Sequence, residues 1–163
     1  ESVAVPLLLQ RGETLTTAES CTGGLLAKRI TDVAGASSVF HQGLVTYANE
    51  AKTRLLGVPE ELLARVGAVS PEVARCMAQQ ACARYGSTWG VGISGIAGPG
   101  GATATKPVGL VYIALSDGGR TWLRVMRPHG RYMGRAWTRQ RAASHALDML
   151  RRAMLGLPVE MEA

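Results

Sequence analysis

Residues 14–33, TLTTAESCTGGLLAKRITDV, decide the fold. The opening TLTTA (14–18) crowds β-branched side chains and reads as a short buried strand. A polar turn follows, Glu19-Ser20-Cys21-Thr22-Gly23-Gly24, and then LLAKRITDV (25–33) with helical periodicity. Strand, tight turn and helix in that order open an α/β unit. In such units ligands lie beyond the carboxyl ends of the strands, which puts Ser20 where chemistry is done.

Working upstream, SVAVPLLLQR (2–11) predicts a helix with Pro6 near its start and Gly12 at its end, packed at an edge. Downstream, Gly35-Ala36-Ser37-Ser38 is a loop and VFHQGLVTYA (39–48) a second strand. Asn49 is placed to cap a short helix ended by Gly57, and Pro59 opens another, PEELLARV. Ser70-Pro71 is a strong helix start, with Ser as cap and Pro at the first helical position; the helix runs to about Arg84. STWGVGISGIAGPGG (87–101) is a small-residue strand running into a glycine-rich loop. GLVYIALSD (109–117) and RTWLRVMRP (120–128) flank Asp117-Gly118-Gly119, a hairpin signal that makes this pair antiparallel. A last helix is expected from about Tyr132 to Leu155. No repeat or linker interrupts the order. The expectation is a single domain over 1–163: a three-layer α/β/α sandwich around a mixed sheet of about five strands.

Composition agrees. A chain of 163 residues, 47% hydrophobic, is not disordered, and it buries roughly 70% of its unfolded surface without a staple. No apolar run approaches the ~18 residues of a membrane span. No secretory signal opens the chain, and residue 1 is Glu rather than Met, which leaves room for a fused N-terminal domain. Cys21, Cys76 and Cys82 form neither a CxxC pair nor a zinc-spaced cluster, so the expected compartment is a reducing cytoplasm. The net charge of +6 is unevenly spread: residues 120–152 hold nine Arg and one Asp, whereas residues 1–119 are neutral. Three readings stand: a solvated helix face, one or two arginines that hold a phosphate or carboxylate, and nucleic-acid binding. A basic pI supports the last only weakly, and with one Phe and three Trp a stacking platform is poorly supported.

Two turns carry candidate chemistry. The first, Ser20 to Gly24, fits neither GxGxxG nor GxxxxGK[ST]; it reads either as a plain cap or as a set of free N–H groups that attract anions. The second, Ser94-Gly95-Ile96-Ala97-Gly98-Pro99-Gly100-Gly101, lets backbone approach a ligand closely. Lys52 follows the second strand. It reads either as an exposed helix lysine or as a general base for Ser20, its amine kept neutral by burial. His41 is the other candidate base, while His129 and His145 read as packing residues in the Arg-rich region.

The segments AESCTGG, YxNxxK (Tyr47, Asn49, Lys52), GAVSPEV and GIAGPGG…KPVGLVYIAL together resemble the C-terminal domain family of the competence/damage-inducible protein CinA, over about residues 5–155. Members of that family are nicotinamide mononucleotide (NMN) deamidases. The resemblance implies an α/β/α fold, frequent dimers, no metal, no cofactor, and conversion of NMN to nicotinic acid mononucleotide and ammonia in pyridine nucleotide salvage. It makes Ser20 the nucleophile and Lys52 the base of a Ser–Lys dyad, with Tyr47 and Asn49 in support. Backbone N–H groups from Cys21 to Gly23 then form the oxyanion site, and Cys21 is a rival nucleophile. The substrate-binding set is Cys21, Thr22, Gly23, Gly24, Asn49, Ser94, Gly95, Gly98, Gly100, Gly101, Arg135 and Arg139. Ser94 stands where many relatives have Thr. Met133-Gly134-Arg135 lacks the Asp of the family's Gly-Asp-Arg, so Arg139 is the preferred substrate arginine and Arg135 the second. Two alternatives belong to other classes: a catalytically silent nucleotide-binding module, and an interaction domain working in DNA uptake.

Overall fold

A computed structural model of the chain describes residues 1–128 and 132–160. The elements are α1 (Ala4–Arg11), β1 (Leu15–Glu19), α2 (Leu25–Thr31), a 3-10 turn (Ala36–Ser38), β2 (Phe40–Val45), α3 (Asn49–Leu56), α4 (Glu60–Val66), α5 (Pro71–Tyr85), β3 (Trp89–Gly95), β4 (Val111–Ser116), β5 (Thr121–Met126) and α6 (Arg135–Met154). The sheet has five strands in the order β2-β1-β3-β4-β5. β1 runs parallel to both β2 and β3, whereas β3–β4 and β4–β5 are antiparallel. This is the mixed α/β sheet that the sequence implies.

The topology sets the position of the site. The chain leaves β1 for β2 through α2 on one face, then returns to β3 through α3, α4 and α5 on the other. The crossovers diverge on either side of β1, and a crevice opens beyond the carboxyl ends of β1 and β3. On one face Leu8, Leu26, Ile30 and Met149 of the helices pack with Leu15, Val91, Ile93 and Ile113 of the sheet. On the other, Leu56, Leu63, Val73 and Met77 pack with Ala18 and Leu44.

The small residues of β3 have a packing reason. A Cβ on Gly92 would strike the Ala74 carbonyl and come within 2.7 Å of Ala78 N; one on Gly90 would strike the Ala78 carbonyl. The two glycines let the backbone of α5 lie directly on the sheet. Ser70 Oγ accepts the Val73 N–H at 3.3 Å with Pro71 next in line, so α5 starts as its sequence prescribes.

Several expectations need correction. α1 is not at an edge: Ala4, Val5 and Leu8 lie in the larger core, and the helix packs on α6. Asn49 is the first residue of α3, and Ala48 is its cap, with no side-chain bond. β2 ends at Val45 rather than Ala48. α6 begins at Arg135 rather than Tyr132, because Gly134, at φ +100°, turns the chain immediately before it. His41 is exposed on β2, and His129 lies outside the described residues.

The Arg-rich stretch is not one patch. Arg124 is buried, donating to Asp148 at 3.0 Å, to the Val159 carbonyl at 2.8 Å and facing His145 Nδ1 at 3.2 Å. Asp148 also pairs with Arg151 and Arg152. Arg120 and Arg141 lie over the rings of Trp122 and Trp137. Among the described residues no helix is long and apolar enough to cross a membrane.

Candidate active site

β1 and β3 deliver two hydroxyls side by side. Glu19 pairs with Ile93 across the parallel ladder, so Ser20 and Ser94 leave the sheet together, on strands about 4.8 Å apart. Ser20 is tied there by its N–H on the Ile93 carbonyl at 3.0 Å. Side chains alternate along a strand, so Glu19 turns to the α2 face and Ser20 to the face of α3. The buried Glu19 carboxylate, 1% exposed, accepts the Leu26 N–H at 3.0 Å and the Ala27 N–H at 2.8 Å. It thereby fills the start of α2, where free N–H groups would otherwise face the core. Sequence reasoning gave Glu19 no role; an acid set just before a turn and a helix was the available signal.

Lys52 approaches from α3. It is 1% exposed, and its Nζ lies 3.2 Å from Ser20 Oγ, 2.8 Å from the Thr46 carbonyl oxygen and 3.3 Å from that of Tyr47. A neutral amine has two N–H donors and one lone pair. In that form, with the two carbonyls taking both donors, the lone pair would face the Ser20 hydroxyl. Burial pulls the amine's pKa below its ordinary 10.5, while Cys21 and Glu50 nearby pull the other way. Among the described residues no carboxylate pairs with Lys52. The plain reading of Lys52 as an exposed helix lysine is therefore wrong.

Cys21 faces the core, and burial pushes its thiol up to about 12. Thiolate, not thiol, is the reactive form, so Cys21 is a poor rival to a serine with an amine at its hydroxyl. The turn itself is closed by Gly23 N–H on the Ser20 carbonyl at 3.0 Å. That engages the Gly23 N–H, one of the expected oxyanion donors; of the three residues expected there only Cys21 lines the pocket. Gly23 (φ +59°) and Gly24 (φ +89°) take left-handed conformations that suit glycine alone.

The two arginines, expected as substrate ligands, lie on different sides of the turn. Arg139 grips the Thr22 carbonyl with Nε at 3.0 Å and Nη2 at 2.6 Å, so it braces the Ser20 turn from behind. Arg135, one helical turn earlier, faces the crevice. It donates to the Gly98 carbonyl at 2.9 Å and to the hydroxyl of Tyr47 at 2.8 Å. The crevice is a pocket of about 270 Å3. Ser20, Cys21, Tyr47, Asn49 and Lys52 line one side, Ser94, Gly95, Gly98, Gly100 and Gly101 the other, with Arg135 at the rim. Thr22, Gly23, Gly24 and Arg139 do not line it. Ala68, Val69, Ile96 and Ala97 do; they fall in the GAVSPEV and GIAGPGG segments, where sequence reasoning gave these apolar residues no individual role. His41 and His145 lie elsewhere. Among the described residues no group of three or more His, Cys, Asp or Glu is placed to hold a metal ion.

The sequence profile described as the CinA C-terminal domain matches residues 1–154. The chain belongs to the CinA C-terminal domain family. It is 68% identical over 160 residues to a CinA-like protein of Desulfovibrio desulfuricans, covering 98% of this chain and 38% of that protein. It is 56% identical to a putative competence-damage inducible protein of Symbiobacterium thermophilum, covering 92% of this chain and 37% of that one. The chain thus spans less than two-fifths of these relatives. Among solved structures it resembles the competence/damage inducible protein of Agrobacterium tumefaciens, at 41% identity and TM-score 0.89 over 94% of each chain. A CinA superfamily protein of Klebsiella pneumoniae matches at 33% identity and TM-score 0.88, over 95% of this chain and 96% of that one.

Proposed function

We propose that this CinA-family domain hydrolyses the amide of NMN to nicotinic acid mononucleotide and ammonia through a Ser20–Lys52 dyad. The observation that carries the reading is the buried, unpaired Lys52 amine 3.2 Å from Ser20 Oγ. The substrate carboxamide hangs on a cationic pyridinium, which makes its carbonyl carbon more electrophilic than a peptide's. Lys52 takes the Ser20 proton as Oγ bonds to that carbon. The resulting oxyanion lies against the Cys21 N–H at the turn, a donor worth roughly 3–4 kcal/mol in comparable sites. The C–N bond breaks, Lys52 returns its proton to the leaving nitrogen, and ammonia departs. Water, deprotonated by Lys52, then hydrolyses the Ser20 ester and frees the acid.

The nucleotide phosphate sits at the rim. Arg135 spends one N–H on Gly98 and one on Tyr47, leaving three of its five donors for an anion. Tyr47 OH accepts from Arg135 and so orients the guanidinium; the Gly98–Gly101 loop supplies backbone N–H groups beside it. A dimer and a cytoplasmic setting belong to the same reading. The three free cysteines suit a reducing compartment, and sedimentation of the purified chain tests the dimer. The deciding experiment is to mix the protein with NMN and measure ammonia and nicotinic acid mononucleotide, with Ser20→Ala and Lys52→Arg as controls. Equal amounts of both products from the wild type, and none from the controls, support the proposal. NMN bound but left intact by the wild type overturns it and makes the domain a silent nucleotide-binding module.

A further inference from the structure

Ser94 has a role that the dyad does not use. Its side chain leaves β3 beside Ser20 and on the same face as Lys52. It is 1% exposed, and its Oγ donates to the Ala68 carbonyl, in the loop between α4 and α5, at 2.6 Å. The hydroxyl has a single hydrogen, and that hydrogen is spent on Ala68. What Ser94 shows to the pocket is therefore lone pairs only.

The same pocket is lined by Cys21, whose backbone N–H at the turn after β1 is a donor. A primary carboxamide is polarised to match: its oxygen accepts and its nitrogen donates. With the oxygen at the turn, the nitrogen falls on the Ser94 side. We infer that Ser94 Oγ accepts the N–H of the substrate carboxamide, and so distinguishes the amide from the carboxylate that replaces it. The inference rests on the amidase reading of this site.

The product has two acceptor oxygens and no hydrogen for Ser94. To receive it, the Ser94 O–H has to leave Ala68, stranding a buried carbonyl without a partner. The same contact fixes where the leaving nitrogen lies. Ammonia then forms beside the amine that must protonate it, and the oxygen cannot occupy that side. Ser94 thus works as a specificity-determining residue that favours substrate over product.

The test uses the Ser20→Ala protein, which binds without turnover, and calorimetric titration with NMN and with nicotinic acid mononucleotide. Adding Ser94→Ala is expected to weaken NMN about tenfold, the effect of one hydrogen bond, and to leave the acid unchanged or tighter. Adding Ser94→Thr, which retains the hydroxyl, is expected to restore the preference for the amide. Equal weakening of both ligands, with the circular dichroism spectrum and melting temperature retained, makes Ser94 a shaping residue only and overturns the inference. So does an unchanged preference in Ser94→Ala. Failure of the wild-type chain to release ammonia from NMN is a separate result, read without any Ser94 variant. It overturns the amidase reading and this inference with it.

Discussion

Replacing Lys52 with Met tests the dyad from two directions at once. Met has a similar length and flexibility, so it fills the space of the fully buried lysine while removing the amine. Loss of a base that touches the nucleophile lowers kcat by ~10²–10⁴-fold. The effect on stability depends on pH, and its sign follows from the burial. The folded amine holds its proton less tightly than the unfolded one, whose pKa is the ordinary 10.5. Between the lowered folded value and 10.5 the unfolded chain binds the extra proton, so wild-type stability climbs with pH across that window. The climb is ~1.4 kcal/mol per pH unit. Above 10.5 the contribution is fully present; as pH falls through the folded value it is lost. The Met variant lacks this slope. It also forfeits the hydrogen bonds to the Thr46 and Tyr47 carbonyls, ~1 kcal/mol each, but that offset is the same at every pH. Cys82, held up at about 11 by burial, contributes alike in both proteins and cancels, whereas Cys21 interacts with Lys52 and is replaced by Ala in both proteins so that its own titration drops out. Urea unfolding of both proteins from about pH 7 to 10.5, with ammonia release from the same preparations, reads both effects. The lysine protein should gain on the Met variant as pH rises. A difference that stays flat over the whole interval would show an ordinary ammonium and refute the neutral-base argument.

Other variants separate the roles of neighbouring groups. Arg135→Ala should raise KM for the nucleotide with little change in melting temperature, since the side chain is exposed; an unchanged KM removes it from the phosphate site. Arg139→Ala should instead lower kcat and cost ~1–3 kcal/mol in urea unfolding, because it removes two charge-assisted hydrogen bonds from the Thr22 carbonyl and leaves it only the Leu25 N–H at 3.2 Å. Cys21→Ala should keep turnover within a few-fold, whereas Ser20→Ala should lose roughly 10³-fold or more; the opposite pattern would make the thiol the nucleophile. Gly92→Ala should destabilise by ~1–3 kcal/mol through its clash with α5, seen as a lower urea midpoint.

Much of this architecture is written locally. The Ser70-Pro71 start, the glycine stops after α1 and α3 and the Asp117-Gly118-Gly119 hairpin act over three or four residues, and each appears where its chemistry requires. The core of the site is different. Ser20 and Lys52 meet across 32 positions only because β2 and β3 flank β1, and periodicity does not report strand order. Lys52 looks exposed because α3 is short and polar; its burial comes from the carbonyls of the segment before it. Arg135 and Arg139 share one face of α6 at helical spacing. Which of them meets the pocket and which the back of the turn depends on how α6 lies over α2, and a single sequence does not specify that. Glu19 escaped notice because its partners are backbone groups, which carry no residue label.

The Ser20 turn is held from both sides: the Glu19 carboxylate grips α2 from inside, and the Arg139 guanidinium grips Thr22 from α6. On the amidase reading, the attacking hydroxyl is therefore slaved to the seating of the last helix. Loosening of α6 reaches Ser20 while the sheet is still intact, so heat should silence the catalyst before it melts the protein.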